Sequence, residues 1–208
     1  MSSSLVIPRV WSFEDSITGV SGWVALDSVA HGLGFGGMRV SSSTSKDEVE
    51  ELARSMTLKL SIHGSPVGGA KGGLCIEPSD PRLEGVLQRF AIAMAEPLSS
   101  VVTLGKDMGT TNATLDRLYQ GLGLPQLHLI AGDGIPNKLR NLTGYRKHMT
   151  GLGVAWATSA FMGESVRGAK CVIQGFGAVG VGAAVRLNEL GAEVVGLSDH
   201  RYGWSFSD

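Results

Sequence analysis

Apolar residues recur along the chain with two periods, and the period assigns the elements. Gly22-Trp23-Val24-Ala25-Leu26-Asp27-Ser28-Val29-Ala30 reads as a strand that feeds the glycine-rich turn Gly32-Leu33-Gly34-Phe35-Gly36-Gly37, after which Met38-Arg39-Val40 resumes extended structure. Val49, Leu52, Ala53, Met56 and Leu60 then repeat at helical spacing. Ser45 followed by Glu48 fits a capping box, so the pattern predicts a helix from Ser45 to about His63. The run Pro66 to Gly73 is too glycine-rich for a helix and reads as a turn, with Leu74-Cys75-Ile76 as a short buried strand. A second helix starts at Asp80 and Pro81, presents Leu83, Val86, Leu87, Phe90, Ala91 and Met94, and ends near Pro97. Val101 to Leu104 is a strand that runs directly into Gly105-Lys106-Asp107-Met108-Gly109-Thr110.

From Gly121 to Arg146 the chain is rich in Gly, Pro and Asn with weak periodicity, which predicts a loop and a domain linker. A helix from about Gly151 to Met162 follows. The end of the chain then reads strand (Ala169 to Gln174), glycine turn, helix (through Leu190), strand (Glu193 to Ser198). These elements predict an α/β fold with two domains, 1–147 and 148–208.

Composition narrows the chemistry. The 208 residues carry a formal net charge of -1, which offers no basic footprint for nucleic acid or an anionic membrane and points to small-molecule partners. No apolar run approaches a membrane span and the first residues form no signal peptide, so a cytoplasmic location is expected. Cys75 and Cys171 stand in separate apolar runs and read as buried thiols. They form no metal motif, and the five histidines show no metal-ligand spacing, so no metal is expected.

Gly175-Phe176-Gly177-Ala178-Val179-Gly180 is a G-x-G-x-x-G between a predicted strand and a predicted helix, with Asp199 at the end of the next strand. Its glycines permit a tight turn, close approach of a pyrophosphate, and close packing of helix on strand. The helix N-terminus attracts the negative charge. The expectation is the first part of a Rossmann-type dinucleotide-binding domain. Asp199 placed to accept from the adenosine ribose hydroxyls favours NAD, while neighbouring His200 and Arg201 point to NADP as the alternative.

On a helical wheel Lys59 lies near the direction of Leu52, on what reads as the core-facing stripe, where a lysine either snorkels or meets an anion. Lys71 sits among the glycines of Gly68-Gly69-Ala70-Lys71-Gly72-Gly73, and is either a solvated loop lysine or a group that a ligand approaches. Asp107, after the apolar strand Val101 to Leu104, reads by itself as a turn or cap residue that bonds its own backbone.

Together these residues resemble the glutamate, leucine, phenylalanine and valine dehydrogenase family. Met56-Thr57-x-Lys59 is similar to its substrate-lysine motif, and Lys71 follows twelve residues later within a turn similar to its catalytic-lysine turn. Gly36-Gly37-Met38-Arg39 resembles the substrate-pocket turn, Asp107-Met108-Gly109-Thr110 the catalytic-aspartate motif, Thr150-Gly151-Leu152-Gly153-Val154 the segment meeting the nicotinamide end, and Gln174 to Gly180 the cofactor turn. The resemblance implies a nicotinamide-dependent oxidative deamination of an amino acid to a 2-oxo acid and ammonia. It assigns Lys59 to the α-carboxylate, Lys71 to the oxo or carbinolamine oxygen, Asp107 to proton exchange, Gly36 and Gly37 to the pocket, and Thr150 to the cofactor. It also implies a homo-oligomer formed through the first domain.

Two departures qualify that picture. Glutamate-specific members carry a lysine before the Gly-Gly-x-Arg turn, whereas this chain has Phe35, which offers a second carboxylate no countercharge and predicts an apolar substrate side chain. The GGAKGG and Ser198-Asp199 segments resemble the glutamate branch instead. The resemblance also ends at Asp208 after two strands of the cofactor domain, so a truncated enzyme is expected. The alternatives are a catalytically incomplete paralogue serving as an oligomerisation or nucleotide-binding module, and another two-domain nicotinamide enzyme of the quinate or shikimate type.

Overall fold

The structure, a computed structural model, describes residues 8–124 and 143–206. The chain divides into two compact units, Met1–Gly134 and Ile135–Asp208.

The first unit is built on a five-stranded sheet of β1 (Arg9–Glu14), β2 (Ser21–Leu26), β3 (Gly34–Val40), β4 (Gly68–Leu74) and β5 (Val102–Lys106) in the order β1-β2-β4-β3-β5. β4, β3 and β5 are parallel, and the β1–β2 hairpin adds antiparallel to β4. Side chains alternate between two faces, so β2, β3, β4 and β5 send Val24, Leu26, Met38, Val40, Ala70, Leu74, Val102 and Leu104 to one of them. There they pack against Val86, Leu87 and Phe90 of α2 (Leu83–Ala93), Leu98 of α3 (Ala95–Ser100), and Leu115 and Leu118 of α4 (Asn112–Gln120). The other face carries α1 (Lys46–Ile62), whose Val49 and Ala53 pack on Ala25.

The glycines decide how close α1 comes. A Cβ at Gly69 would stand 2.3 Å from the Thr57 backbone nitrogen and 2.4 Å from the Ala53 carbonyl oxygen, so helix backbone rests directly on strand backbone. This corrects the expectation of a glycine turn at 66–73. The segment is the fully buried strand β4, because β2 and β3 supply its backbone partners and α1 fills the space its missing side chains leave. The turn expected at Gly32 to Gly37 is likewise shorter. His31 and Gly32 take the positive φ values of 49° and 80°, Ala30 and Leu33 close the turn, and Gly34 to Gly37 already belong to β3.

Other boundaries shift for local reasons. Ser45 Oγ accepts from the Glu48 N–H at 3.2 Å, but the Glu48 side chain does not return to complete a capping box; it goes to Arg39. The helix expected to end near Pro97 breaks at Met94, and Pro97 sits in the first turn of α3, where a missing N–H costs nothing. The edge strand β1 and helix α4 were not anticipated. The signals for them were the apolar Trp11 and Phe13 two residues apart and the Thr111/Thr114 capping box.

In the second unit α5 (Thr143–Met162) and a short 3-10 turn (Gly163–Val166) precede β6 (Lys170–Gln174), α6 (Ala178–Glu189), β7 (Glu193–Ser198) and β8 (Gly203–Ser205). β6 and β7 are parallel across α6, and β8 adds antiparallel to β7. The core is small: Ala155, Val166, Leu187 and Ala192. Most of the linker expected at Gly121 to Arg146 lies outside the described residues, and its last four residues already belong to α5. Cys75 and Cys171, expected buried, are each half-buried and free. No helix among the described residues is long and apolar enough to cross a membrane.

Candidate active site

Because Gly69 and Gly73 of β4 face α1, Lys71 between them points to the same face of the sheet. It is buried, with only 6% of its side chain exposed, which corrects the alternative of a solvated loop lysine. Burying an ammonium demands an anion, and Asp107 supplies it: Lys71 Nζ donates to Asp107 Oδ2. Asp107 follows the end of β5. Its N–H donates to Thr110 Oγ1 at 2.9 Å, and that hydroxyl donates to the Met38 carbonyl at 3.0 Å, fixing the carboxylate to β3.

Arg39 approaches from β3. Its Nη1 donates to Glu48 Oε1 at 2.6 Å, while its Nε lies 3.4 Å from Asp107 Oδ2 without alignment for a hydrogen bond. Burial pushes the Asp107 carboxyl up, but the hydrogen bond from Lys71, the Met108 N–H and the charges of Lys71 and Arg39 together outweigh it and hold the group below its ordinary value.

Beside this pair the strands carry glycines, and Asp107 itself covers one of them: a Cβ at Gly37 would stand 2.8 Å from the Asp107 Cβ. Gly37 pairs with Gly105, and the register that joins Phe35 to Gly69 and Met38 to Gly72 puts Gly37 next to Lys71. The Phe35 ring is half-buried and leans over Gly105, 3.4 Å from where a Cβ would stand. Gly36 has a packing role, since a Cβ there would meet the Ala70 carbonyl oxygen at 1.6 Å.

Lys59 is exposed, which corrects its expected place on the core-facing stripe. α1 buries Val49 and Ala53. Leu52 and Lys59 lie at the margin of that stripe, where Leu52 is half-buried and the end of the helix is open. A hydrogen-bonded chain fixes the helix two residues earlier. The Gly69 N–H donates to Ser28 Oγ at 3.1 Å, Ser28 bonds Thr57 Oγ1 at 2.9 Å, and Thr57 donates to Asp27 Oδ2 at 2.5 Å. Sequence patterns gave no sign of this chain or of the Arg39–Glu48 pair, which join residues distant along the polypeptide.

In the second unit the Gly175 to Gly180 segment is the turn expected. Gly175 has φ of 87°, and a Cβ on Gly180 would lie 1.9 Å from the Gly175 carbonyl oxygen. Phe176, Gly177, Ala178 and Val179 are exposed, no atom lies within 4 Å of a Cβ at Gly177, and no side chain caps α6. Free amides at an open helix N-terminus fit a pyrophosphate. Asp199 Oδ1 accepts from the N–H groups of Arg201 and Tyr202, both at 2.7 Å, and these bonds hold its carboxyl below the ordinary value.

Thr150 is exposed on α5, one residue before Gly151. A Cβ on Gly151 would stand 2.0 Å from the Val179 carbonyl oxygen, so this glycine brings α5 against the start of α6. Trp156 is exposed and stacks under Arg186, whose guanidinium carbon is 4.3 Å from the ring centroid. Among the described residues, no group of three or more His, Cys, Asp and Glu side chains is placed to hold a metal ion.

Two family models match the chain. Residues 8–122 match "Glu/Leu/Phe/Val dehydrogenase, dimerisation domain", and residues 143–203 match "Glutamate/Leucine/Phenylalanine/Valine dehydrogenase". An NADP-specific glutamate dehydrogenase of Saccharolobus shibatae is 34% identical over 190 residues, covering 86% of this chain and 44% of that protein. Glutamate dehydrogenase A2 of Halobacterium salinarum is 32% identical over 183 residues, covering 82% of this chain and 43% of its own length. A leucine-bound hetero-hexameric glutamate dehydrogenase from Thermus thermophilus shares the fold, with a TM-score of 0.68 at 24% identity over 95% of this chain and 51% of that one. The chain thus spans less than half the length of these two sequence relatives.

Proposed function

Since the chain belongs to the glutamate, leucine, phenylalanine and valine dehydrogenase family, with one matched region alone spanning more than half of it, we propose that it carries the substrate site of a nicotinamide-dependent amino-acid dehydrogenase. The observation that carries this reading is the buried Lys71–Asp107 pair. A buried lysine suits polarisation of a carbonyl oxygen, and an ionised carboxylate bonded to it suits proton transfer.

In the proposed reaction, loss of the α-hydride converts the amino acid to an iminium ion. Lys59 pairs with the α-carboxylate and orients the α-carbon. Asp107 takes a proton from the attacking water as the C–O bond forms, and Lys71 donates to the resulting carbinolamine oxygen. Collapse expels ammonia once Asp107 returns a proton to nitrogen and the carbinolamine hydroxyl gives up its own to solvent, leaving the 2-oxo acid. A bound nicotinamide ring supplies the hydride acceptor at C4. Gly175 to Gly180 at the start of α6, Asp199 and Thr150 are the residues that would hold this cofactor.

Phe35 leaning over Gly105 gives the pocket an apolar wall and supports a leucine, valine or phenylalanine type of substrate. The carboxylate of Asp199 supports NAD, because a 2′-phosphate would meet a negative charge there; Arg201 on the same turn is the feature that favours NADP. Residues 1–147 are assigned to substrate binding and homo-oligomer formation, with the edge strand β1 open to a further strand, and residues 148–208 to dinucleotide binding. Reduction of NAD and of NADP with leucine, phenylalanine and glutamate tests the whole reading. Turnover of leucine or phenylalanine with NAD supports it, and a clear preference for glutamate removes the argument from Phe35. Binding of a 2-oxo acid and dinucleotide without turnover identifies a binding module instead.

A further inference from the structure

Asp107 cannot depend on Lys71 alone through a reaction of the kind proposed above. When Lys71 directs its ammonium to a substrate oxygen, the bond it now makes to Asp107 Oδ2 weakens, and burial then favours the neutral acid. A proton acceptor would be lost at the step that needs it. The charged groups around Asp107 are Lys71 from β4, Arg39 from β3 and, behind Arg39, Glu48 from α1. Its own loop adds the Met108 N–H and Thr110.

Of these, one polar atom is without a partner. Arg39 Nε is buried, makes no hydrogen bond and lies 3.4 Å from the same oxygen that Lys71 engages. A buried N–H left unpaired is rare in folded proteins, and one 3.4 Å from a carboxylate oxygen needs only a small reorientation to bond it. The guanidinium is held from its other side by Glu48 Oε1 at 2.6 Å, and Glu48 sits in the first turn of α1, where the Ser45 cap fixes its backbone. Glu48 thus gives up its side of a capping box to brace Arg39.

We propose that Arg39, braced by Glu48, is a positioning residue for Asp107: it is the second cationic partner that keeps the carboxylate ionised and in place when Lys71 turns to the substrate. This role rests on the dehydrogenase reading for its purpose. The exchange of partners is tested without turnover.

The experiment is a carbon-13 NMR titration of the Asp107 carboxyl in the chain labelled at aspartate Cγ. In Lys71→Met, which removes the first partner, Asp107 is expected to titrate below its ordinary value still, and the Arg39 Nε–H resonance to move downfield as the bond forms. In the double variant Lys71→Met/Arg39→Gln the midpoint should rise above the ordinary value, and Arg39→Lys in place of Gln should restore part of the difference. Equal midpoints in Lys71→Met and the double variant, or an unmoved Arg39 resonance, overturn the proposal. If circular dichroism shows that Lys71→Met does not fold, Arg39→Gln in the otherwise unchanged chain decides it: a raised Asp107 midpoint supports the role and an unchanged one refutes it. Addition of 2-oxoisocaproate and 2-oxoglutarate to the native chain separates the two ideas. Failure of both to bind refutes the dehydrogenase reading, while the titration still decides Arg39.

Discussion

Lys71 and Asp15 show how far a single charge depends on its surroundings. Lys71 is tolerable inside the first unit because Asp107 meets it, and Asp15, 1% exposed, is tolerable because Arg89 binds it through Nε at 2.6 Å and Nη2 at 2.8 Å. In the proposed reaction Lys71 polarises the substrate oxygen, so Lys71→Ala is expected to cut amino-acid-dependent reduction of the nicotinamide by about 10²–10⁴-fold, as measured by its absorbance. Near-native turnover would refute the assignment. At Asp15 the bonds from Arg89 outweigh burial and, with Thr18, hold the carboxyl far below the ordinary range. A depressed folded value means that ionised Asp15 stabilises the fold above its unfolded value and loses that effect as pH falls toward the folded one. Asp15→Asn should therefore lower Tm at neutral pH, and the gap from the native chain should hold down to about pH 4 and narrow below it. A gap that persists unchanged to the acid limit would contradict this.

Elements here are held by close backbone approach and by hydrogen bonds at their edges. α1 rests on β4 because Gly69 has no side chain, and the Ser28–Thr57–Asp27 chain ties the helix down two residues before Lys59. Gly69→Ala places a Cβ against helix backbone that cannot yield locally, so a loss of about 1–3 kcal/mol is expected in urea unfolding, together with weaker 2-oxo acid binding. Unchanged stability would show that α1 can lift without cost. β5 ends the sheet, yet the edge-facing backbone groups of Leu104 are not left open: Tyr119 of α4 accepts from the Leu104 N–H at 2.7 Å and donates to the Leu104 carbonyl at 3.0 Å. Tyr119→Phe keeps the packing and strands both backbone groups, which should cost about 1–3 kcal/mol by the same measurement. The neighbouring β5 strand leads straight to Asp107, so the tyrosine also steadies the loop that carries the carboxylate.

For the whole molecule, substrate choice is the most exposed part of the functional reading. With Phe35 lining the substrate side chain as proposed, Phe35→Lys introduces a cation there and is expected to raise kcat/KM for glutamate relative to leucine by about tenfold or more, the scale of one paired carboxylate. No change in that ratio would place the wall elsewhere. Much of the molecule was legible in its residues taken in order. The 3.6-residue period marked α1 and α2, the G-x-G-x-x-G between strand and helix marked the second unit, and the segments around Lys71 and Asp107 singled out two side chains that the structure pairs. These are local signals, carried by residues within a few turns of one another or by motifs of fixed length. What only the tertiary structure decided depends on who the neighbours are. Glycine-rich 68–74 is a buried central strand and not a turn because β2 and β3 flank it and α1 covers it. Lys59 is exposed, against its expected place on the core-facing stripe, and Lys71, left open by its segment, is buried, because burial is set by what packs on a residue and not by its own helix or loop. Arg39 faces Asp107 because β3 and β5 are adjacent in the sheet though more than sixty residues separate the two groups, and no local pattern records that adjacency.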